Sequence, residues 1–108
     1  LANATVTGAG NRAGVNQGAK ASGITYAVIF RLLAFTGTNI TLKVQESSDD
    51  GADVYVDVAS LTSGALTAIG VVRATTTAAI EAFRRVNISG TFTSALILVT
   101  AGEVEGTA

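Results

Sequence analysis

Four carboxylates stand close together in the middle of the chain: Asp49, Asp50, Asp53 and Asp57. Such a group invites two kinds of chemistry. A hard cation such as Ca²⁺ needs several oxygen ligands at defined spacing. Asp49-Asp50-Gly51-Ala52-Asp53 lacks the EF-hand order and its closing Glu, so a solvated loop tip is the better reading. Paired carboxylates can also act as general acid and base, but one of them then needs apolar surroundings to raise its pKa, and nothing apolar is placed to do so here. Gly8-Ala9-Gly10-Asn11-Arg12-Ala13-Gly14 touches the dinucleotide pattern, with its third Gly one residue late and no helix after it. The serines have only Lys20 and Lys43 as conceivable bases, and no spacing puts either beside a Ser. The chain contains no His and no Cys. That removes the usual general base, the commonest metal ligand and any disulfide framework. No catalytic residue, cofactor-binding residue, cofactor or metal ligand is therefore assigned, and the chain reads as a non-enzyme.

The remaining candidates are for binding. Arg84-Arg85 is a basic pair within an alternating stretch, so one side chain points outward and the other lies at a sheet margin or pairs with an acid such as Glu81. Sugar sites use exposed aromatic rings. There is no Trp, Tyr26 and Phe30 fall in a core pattern, and Tyr55 is the one ring suited to an exposed platform, so a sugar ligand is not favoured. Asn3-Ala4-Thr5, Asn39-Ile40-Thr41 and Asn87-Ile88-Ser89 fit the glycosylation sequon, which arises easily in so Thr-rich and Ser-rich a chain. Seven basic and eight acidic residues leave a net charge of −1, which gives nucleic acid no electrostatic footing. The longest apolar run, Ala27 to Phe35, is broken by Arg31 and is far short of the roughly 20 residues that span a bilayer. No signal-peptide pattern stands at the N-terminus. The chain is expected to be soluble or part of an assembly.

Charge content is the most unusual bulk property. Charged residues make up 14% of the 108, against about 25% in ordinary soluble domains. A surface so short of charge suits a subunit largely covered by neighbours.

The elements that position these residues are strands. Ile24, Tyr26, Val28, Phe30 and Leu32 alternate on one face, with Ile29, Leu33 and Phe35 on the other, so Ile24 to Phe35 is expected to be a covered strand. Thr36-Gly37-Thr38-Asn39 reads as a turn, and Ile40 to Glu46 as the second strand of a hairpin. Ser47 to Ala52 is a polar loop. Asp53 to Val58 is a strand, Leu61 to Gly64 a connection, and Leu66 to Ala74 a strand with a bulge marked by Gly70. Ile80 to Ile88 and Thr91 to Thr100 read as a second hairpin folded at Ser89-Gly90, with Ala101 to Ala108 a tail. Residues 1–23 are Gly/Ala/Asn-rich and read as an extended arm with one short strand near Ala4 to Thr7. Short strands at roughly ten-residue spacing argue for one all-β domain over 24–108, an antiparallel β-sandwich of jelly-roll-like form with an extended N-terminal arm.

Two segments carry a resemblance. Ile40-Thr41-Leu42-Lys43-Val44-Gln45-Glu46-Ser47-Ser48-Asp49-Asp50-Gly51 is similar to a strand and turn of the form V-x-Q-x-S-x-D-G, with Glu46 where that form has Gln, and Arg85 to Ala95 matches R-V-x-x-x-G-T-F-T-S-A. Together they resemble small β-sandwich structural proteins of tailed bacteriophages, of the head-decoration or cement type. Where many relatives place Trp or Phe after the Asp-Gly turn, this chain has Val54-Tyr55-Val56. The resemblance covers about residues 24 to 100. It implies a non-enzymatic virion structural protein on the outer surface of the capsid, bound to the major capsid protein and forming a homo-oligomer, most simply a trimer. Residues 1–23 would then drape over an adjacent subunit and order on binding, so that deleting them leaves the melting temperature nearly unchanged. The alternative of a different class is a tail- or surface-located carbohydrate-binding adhesion module.

Overall fold

A computed structural model describes residues 1–49 and 54–104. Two long strands organise everything else: β4 over Thr25–Ser47 and β7 over Phe83–Val104. They pair antiparallel along their whole length, from Thr25 opposite Val104 to Ser47 opposite Phe83. The smaller strands line their outer edges. β1 (Ala2–Val6) pairs with the C-terminal half of β7, and β2 (Gly10–Asn11) and β3 (Val15–Asn16) pair with its N-terminal half. β5 (Val56–Leu66) pairs with the C-terminal half of β4, and β6 (Gly70–Thr76) with its N-terminal half. The described residues thus form one antiparallel sheet of seven strands and no helix.

The long pair cannot be straight. At about 3.3 Å per residue a 23-residue strand would span about 75 Å, yet the largest dimension of the molecule is 38 Å. The bend falls where the β4/β7 register shifts, between Leu32 and Asn39. Two glycines permit it. A Cβ on Gly37 would lie 2.5 Å from the Phe92 Cβ, and one on Gly90 would lie 2.5 Å from the Asn39 carbonyl oxygen. Gly90 also holds φ at +118°, a value L side chains rarely adopt. The two hairpins expected from the sequence are therefore absent. Thr36–Asn39 and Ser89–Gly90 are bends within continuous strands, and each half of β4 pairs with β7 rather than with its other half.

Alternation builds the core. Tyr26, Val28, Phe30, Leu32, Ile40, Leu42 and Val44 of β4 are buried, as are Val86, Ile88, Ala95, Ile97 and Val99 of β7. Ala2, Val6, Val58, Leu61 and Ile80 close it from the other elements. A fully buried Phe or Leu contributes about 2–3 kcal/mol by leaving water.

Several boundaries differ from the sequence reading. Leu61–Gly64 lies inside β5, where Leu61 is buried and Ser60 and Gly64 take positive φ values of 72° and 68°. The Ser63 hydroxyl accepts the Leu42 N–H at 3.0 Å and donates to the Gly64 carbonyl at 2.7 Å, which fills the ladder where β5 bulges. Leu66 ends β5 and Gly70 begins β6, so Leu66 to Ala74 is two strands rather than one. Ile80 stands apart from β7 in an isolated bridge to Lys20, and β7 runs on past Thr100. Asp53 and residues 50–52 and 105–108 lie outside the described residues.

Of residues 1–23, expected as an arm, β1 to β3 lie along the free edge of β7, and residues 17–23 continue along residues 77–82. The Arg12, Gln17 and Lys20 N–H groups donate to the carbonyls of Val86, Ala82 and Ile80 at 2.8–2.9 Å. Their composition hid this, because the segment joins the sheet through its backbone and needs few large side chains to do so.

Candidate functional site

The outward positions of the two halves of the β4/β7 pair carry opposite chemistries. In the half flanked by β2, β3 and β5, register sets Asn11 beside Asn87 and Lys43, and sets Arg85 beside Gln45 and Asp57. These polar groups bond to one another. Asn87 Nδ2 donates to Asn11 Oδ1 at 2.7 Å, Arg85 Nε to Gln45 Oε1 at 2.8 Å, and Gln45 Nε2 to Asp57 Oδ1 at 2.9 Å. Lys43 Nζ reaches Asp57 Oδ2 at 3.3 Å. The Gln45 amide, helped by Lys43, holds the Asp57 carboxyl below the usual carboxylate range, with slight burial opposing. The Arg85 guanidinium lies over the Tyr55 ring, 4.1 Å from its centre.

In the half flanked by β1 and β6, the same arithmetic gives an apolar face. One row runs Asn3, Leu98, Arg31, Val71 and the next runs Thr100, Ile29, Arg73. Leu33 is 49% exposed and Val71 58% exposed, large values for side chains of this kind. The Arg31 and Arg73 side chains have no hydrogen-bond or ion-pair partner among the described residues. They are diagonal neighbours across β4 and β6, about 7 Å apart at the backbone. An open depression of about 270 Å³ lies beside them, lined by Ala27, Ile29, Thr100, Ala101, Gly102 and Val104, with Glu103 as its one acidic residue.

The basic pair of the sequence is split. Arg85 points outward, while Arg84 is 2% exposed. Arg84 donates to Gln17 Oε1 at 3.0 Å and to the Gly18 carbonyl at 2.8 Å, with its guanidinium 4.8 Å from the Tyr26 ring centre. The Tyr26 hydroxyl donates to the same Gln17 oxygen at 2.6 Å. Burial pushes the Tyr26 phenol up, and Arg84 pulls part of that back. Lys20, also buried, donates to the carbonyls of Ala21 and Ile24. The group clasps residues 17–24 to the end of the core. Its hydrogen bonds run between residues 17–24, Tyr26 and Arg84, so it holds structure together.

The other sequence candidates disperse. Asp57 joins the polar network, and Asp49 is engaged with the Ser47 hydroxyl through its own backbone. Asp50 and Asp53 lie outside the described residues. Among the described residues no three of Asp, Glu, His and Cys gather into a ligand set. The Gly8–Arg12 stretch lines an open depression of about 380 Å³ with Thr5, Val6, Thr7 and Ile88. Asn39 accepts the Thr91 N–H and Asn87 holds Asn11, so both amides serve the fold, whereas Asn3 is exposed on β1. Sequence reasoning missed the apolar face. Ile29 and Leu33 were visible as a second apolar side, but the register that sets Arg31 and Arg73 among them was not.

Comparisons with family models, curated proteins and solved structures return no match for this chain.

Proposed function

We propose that this chain is a non-enzymatic virion structural protein. In this reading it is a decoration or cement protein that binds the outside of an assembled phage head, contacts the major capsid protein and acts as a homo-oligomer, most simply a trimer. The observation that carries the reading is the apolar outward face around Ile29, Leu33, Val71 and Leu98, with two arginines and no carboxylate at its described outward positions. Apolar surface of that kind is what a subunit covers when it assembles. The phage-type motifs at Ile40 to Gly51 and Arg85 to Ala95 point the same way.

We also infer a jelly-roll-like sandwich. The strand order β1, C-terminal half of β7, N-terminal half of β4, β6 makes one layer, and β2 with β3, N-terminal half of β7, C-terminal half of β4, β5 makes the other. The bend at Gly37 and Gly90 and the burial of one side of both halves support that arrangement. The competing reading, a carbohydrate-binding adhesion module on a tail or surface, would use Tyr55, and Arg85 already covers one face of that ring.

Co-sedimentation with phage shells stripped of accessory proteins tests the proposal. Saturable binding at a fixed copy number per capsomer is expected. No binding to shells, with glycan binding that depends on Tyr55, would replace this reading with the adhesion module.

A further inference from the structure

We infer that the sheet face formed by β1, the C-terminal half of β7, the N-terminal half of β4 and β6 docks a protein surface that sets carboxylates among apolar side chains, with Arg31 and Arg73 as the paired acceptor of that charge. The naming of the shell as the bearer of that surface rests on the decoration reading; the chemistry of the face does not.

Three observations select this partner. The first is area and polarity. Leu33, Val71 and Ile69 are each about half exposed or more, and Ile29, Leu96 and Leu98 extend the apolar surface between them. The second is charge. On the opposite outward face, Lys43 has Asp57 and Arg85 has Gln45 within hydrogen-bonding distance. On this face, Arg31 and Arg73 have no such partner among the described residues; the described outward positions of the four strands carry no acid, and Glu103, at the wall of the adjoining depression, forms no ion pair with either arginine. Two guanidiniums on one diagonal repel each other weakly in water and can hold one carboxylate between them when covered. The third is shape. The depression of about 270 Å³ beside Ile29 is large enough for an apolar side chain of the partner.

A second copy of this chain fits less well. A two-fold contact with its axis at the Arg31/Arg73 diagonal would bring four cations together, with only Glu103 at the margin of each copy to offset them. The partner is therefore a different surface, acidic and apolar together.

Two experiments on the full chain test this. In the first, the amide spectrum of the isotope-labelled protein is titrated with octanoate, with acetate and hexanol as controls that each lack half of the chemistry. Saturating shifts are expected for octanoate alone, confined to residues around Ile29, Arg31, Arg73 and Leu98, and lost in the Arg31→Gln/Arg73→Gln protein. Shifts spread evenly, or centred on Lys43 and Arg85, would overturn the assignment of the face. In the second, Arg31→Glu/Arg73→Glu is compared with Lys43→Glu for binding to stripped shells. At least a 30-fold loss is expected for the first, in the range of breaking a covered charge pair, and little change for the second. Equal binding by both would overturn the docking role even if the chain decorates shells. Failure of the unmodified protein to bind shells, with octanoate mapping to this face, would remove the decoration reading and leave the face's chemistry standing. Sedimentation velocity completes the set: an oligomer that dissociates on Arg31→Glu/Arg73→Glu would make the occupant a second copy and overturn the heterologous partner.

Discussion

Two outward faces on the same pair of strands have different chemistries, and the difference is instructive. Around Lys43, Gln45, Asp57, Arg85 and Asn87, each named polar side chain has another within hydrogen-bonding distance. Around Ile29, Arg31, Arg73 and Leu98, apolar groups stand in the open and two cations have no described partner. Backbone geometry does not separate them, since both are strands paired antiparallel with the period-two alternation of any sheet. One face satisfies itself and gains nothing from a neighbour. The other has exposed apolar area and unspent charge, and both gain when something covers it.

The comparison depends on an intact fold, and the largest effect tests that. Deleting residues 1–23 removes β1 from one half and β2 and β3 from the other, and it strips Gln17 and Gly18 from buried Arg84. A fall in melting temperature of about 10 °C or more is expected, because a loss of about 2 kcal/mol already shifts a domain of this size that far. This replaces the expectation of an arm that orders only on binding; an unchanged melting temperature would restore it. Next in size is the bend that separates the faces. Gly90→Ala sets a Cβ against the Asn39 backbone at positive φ and should cost about 2 kcal/mol by urea unfolding. A neutral outcome would mean that the two halves of β7 are not held as described.

The smallest effects contrast the faces directly. Gln45→Ala removes the shared partner of Arg85 and Asp57 and should cost about 1 kcal/mol, whereas Arg31→Gln should stay within about 0.5 kcal/mol. A larger loss for Arg31 would reveal a structural role and weaken the contrast. The polar network should also register in acid. The Asp57 carboxyl is lowered in the folded state, so its contribution is present above the unfolded carboxylate range and disappears as pH falls through the folded value. Because Asp57 is exposed, the effect is small. Thermal melts of the unmodified protein and Asp57→Asn should differ near neutrality and converge in strong acid; a difference that persists there would assign it to packing.

The sequence made the buried side legible and left the connectivity obscure. Alternation at Tyr26 to Leu32 and Ile40 to Val44 marked residues that do fill the core, whereas Ile24, at the head of the first run, is 41% exposed. What failed was the meaning of Gly37 and Gly90. A glycine between two alternating runs looks the same whether the chain reverses there or bends and runs on. The answer lies in the partner strand, more than 50 residues away, whose backbone presses on each glycine. Residues 1–23 misled for a related reason: composition reports side-chain burial, and this segment is held largely by backbone pairing with β7 and with residues 77–82. Arg84 and Arg85 were separable in principle by alternation, but which of them goes inward depends on Tyr26 and Gln17 waiting at that end of the core. The apolar face needed the register of three strands, and no single stretch of sequence contains it.

We propose that this chain attaches to an assembled shell through its apolar, arginine-bearing face. The most direct test is a cryo-EM reconstruction of stripped shells saturated with the protein. Ordered density is expected with Arg31, Arg73, Ile29 and Leu98 turned toward the shell, and Lys43, Asp57 and Arg85 toward solvent. Shells without added density, or density with the polar face against the shell, would contradict it.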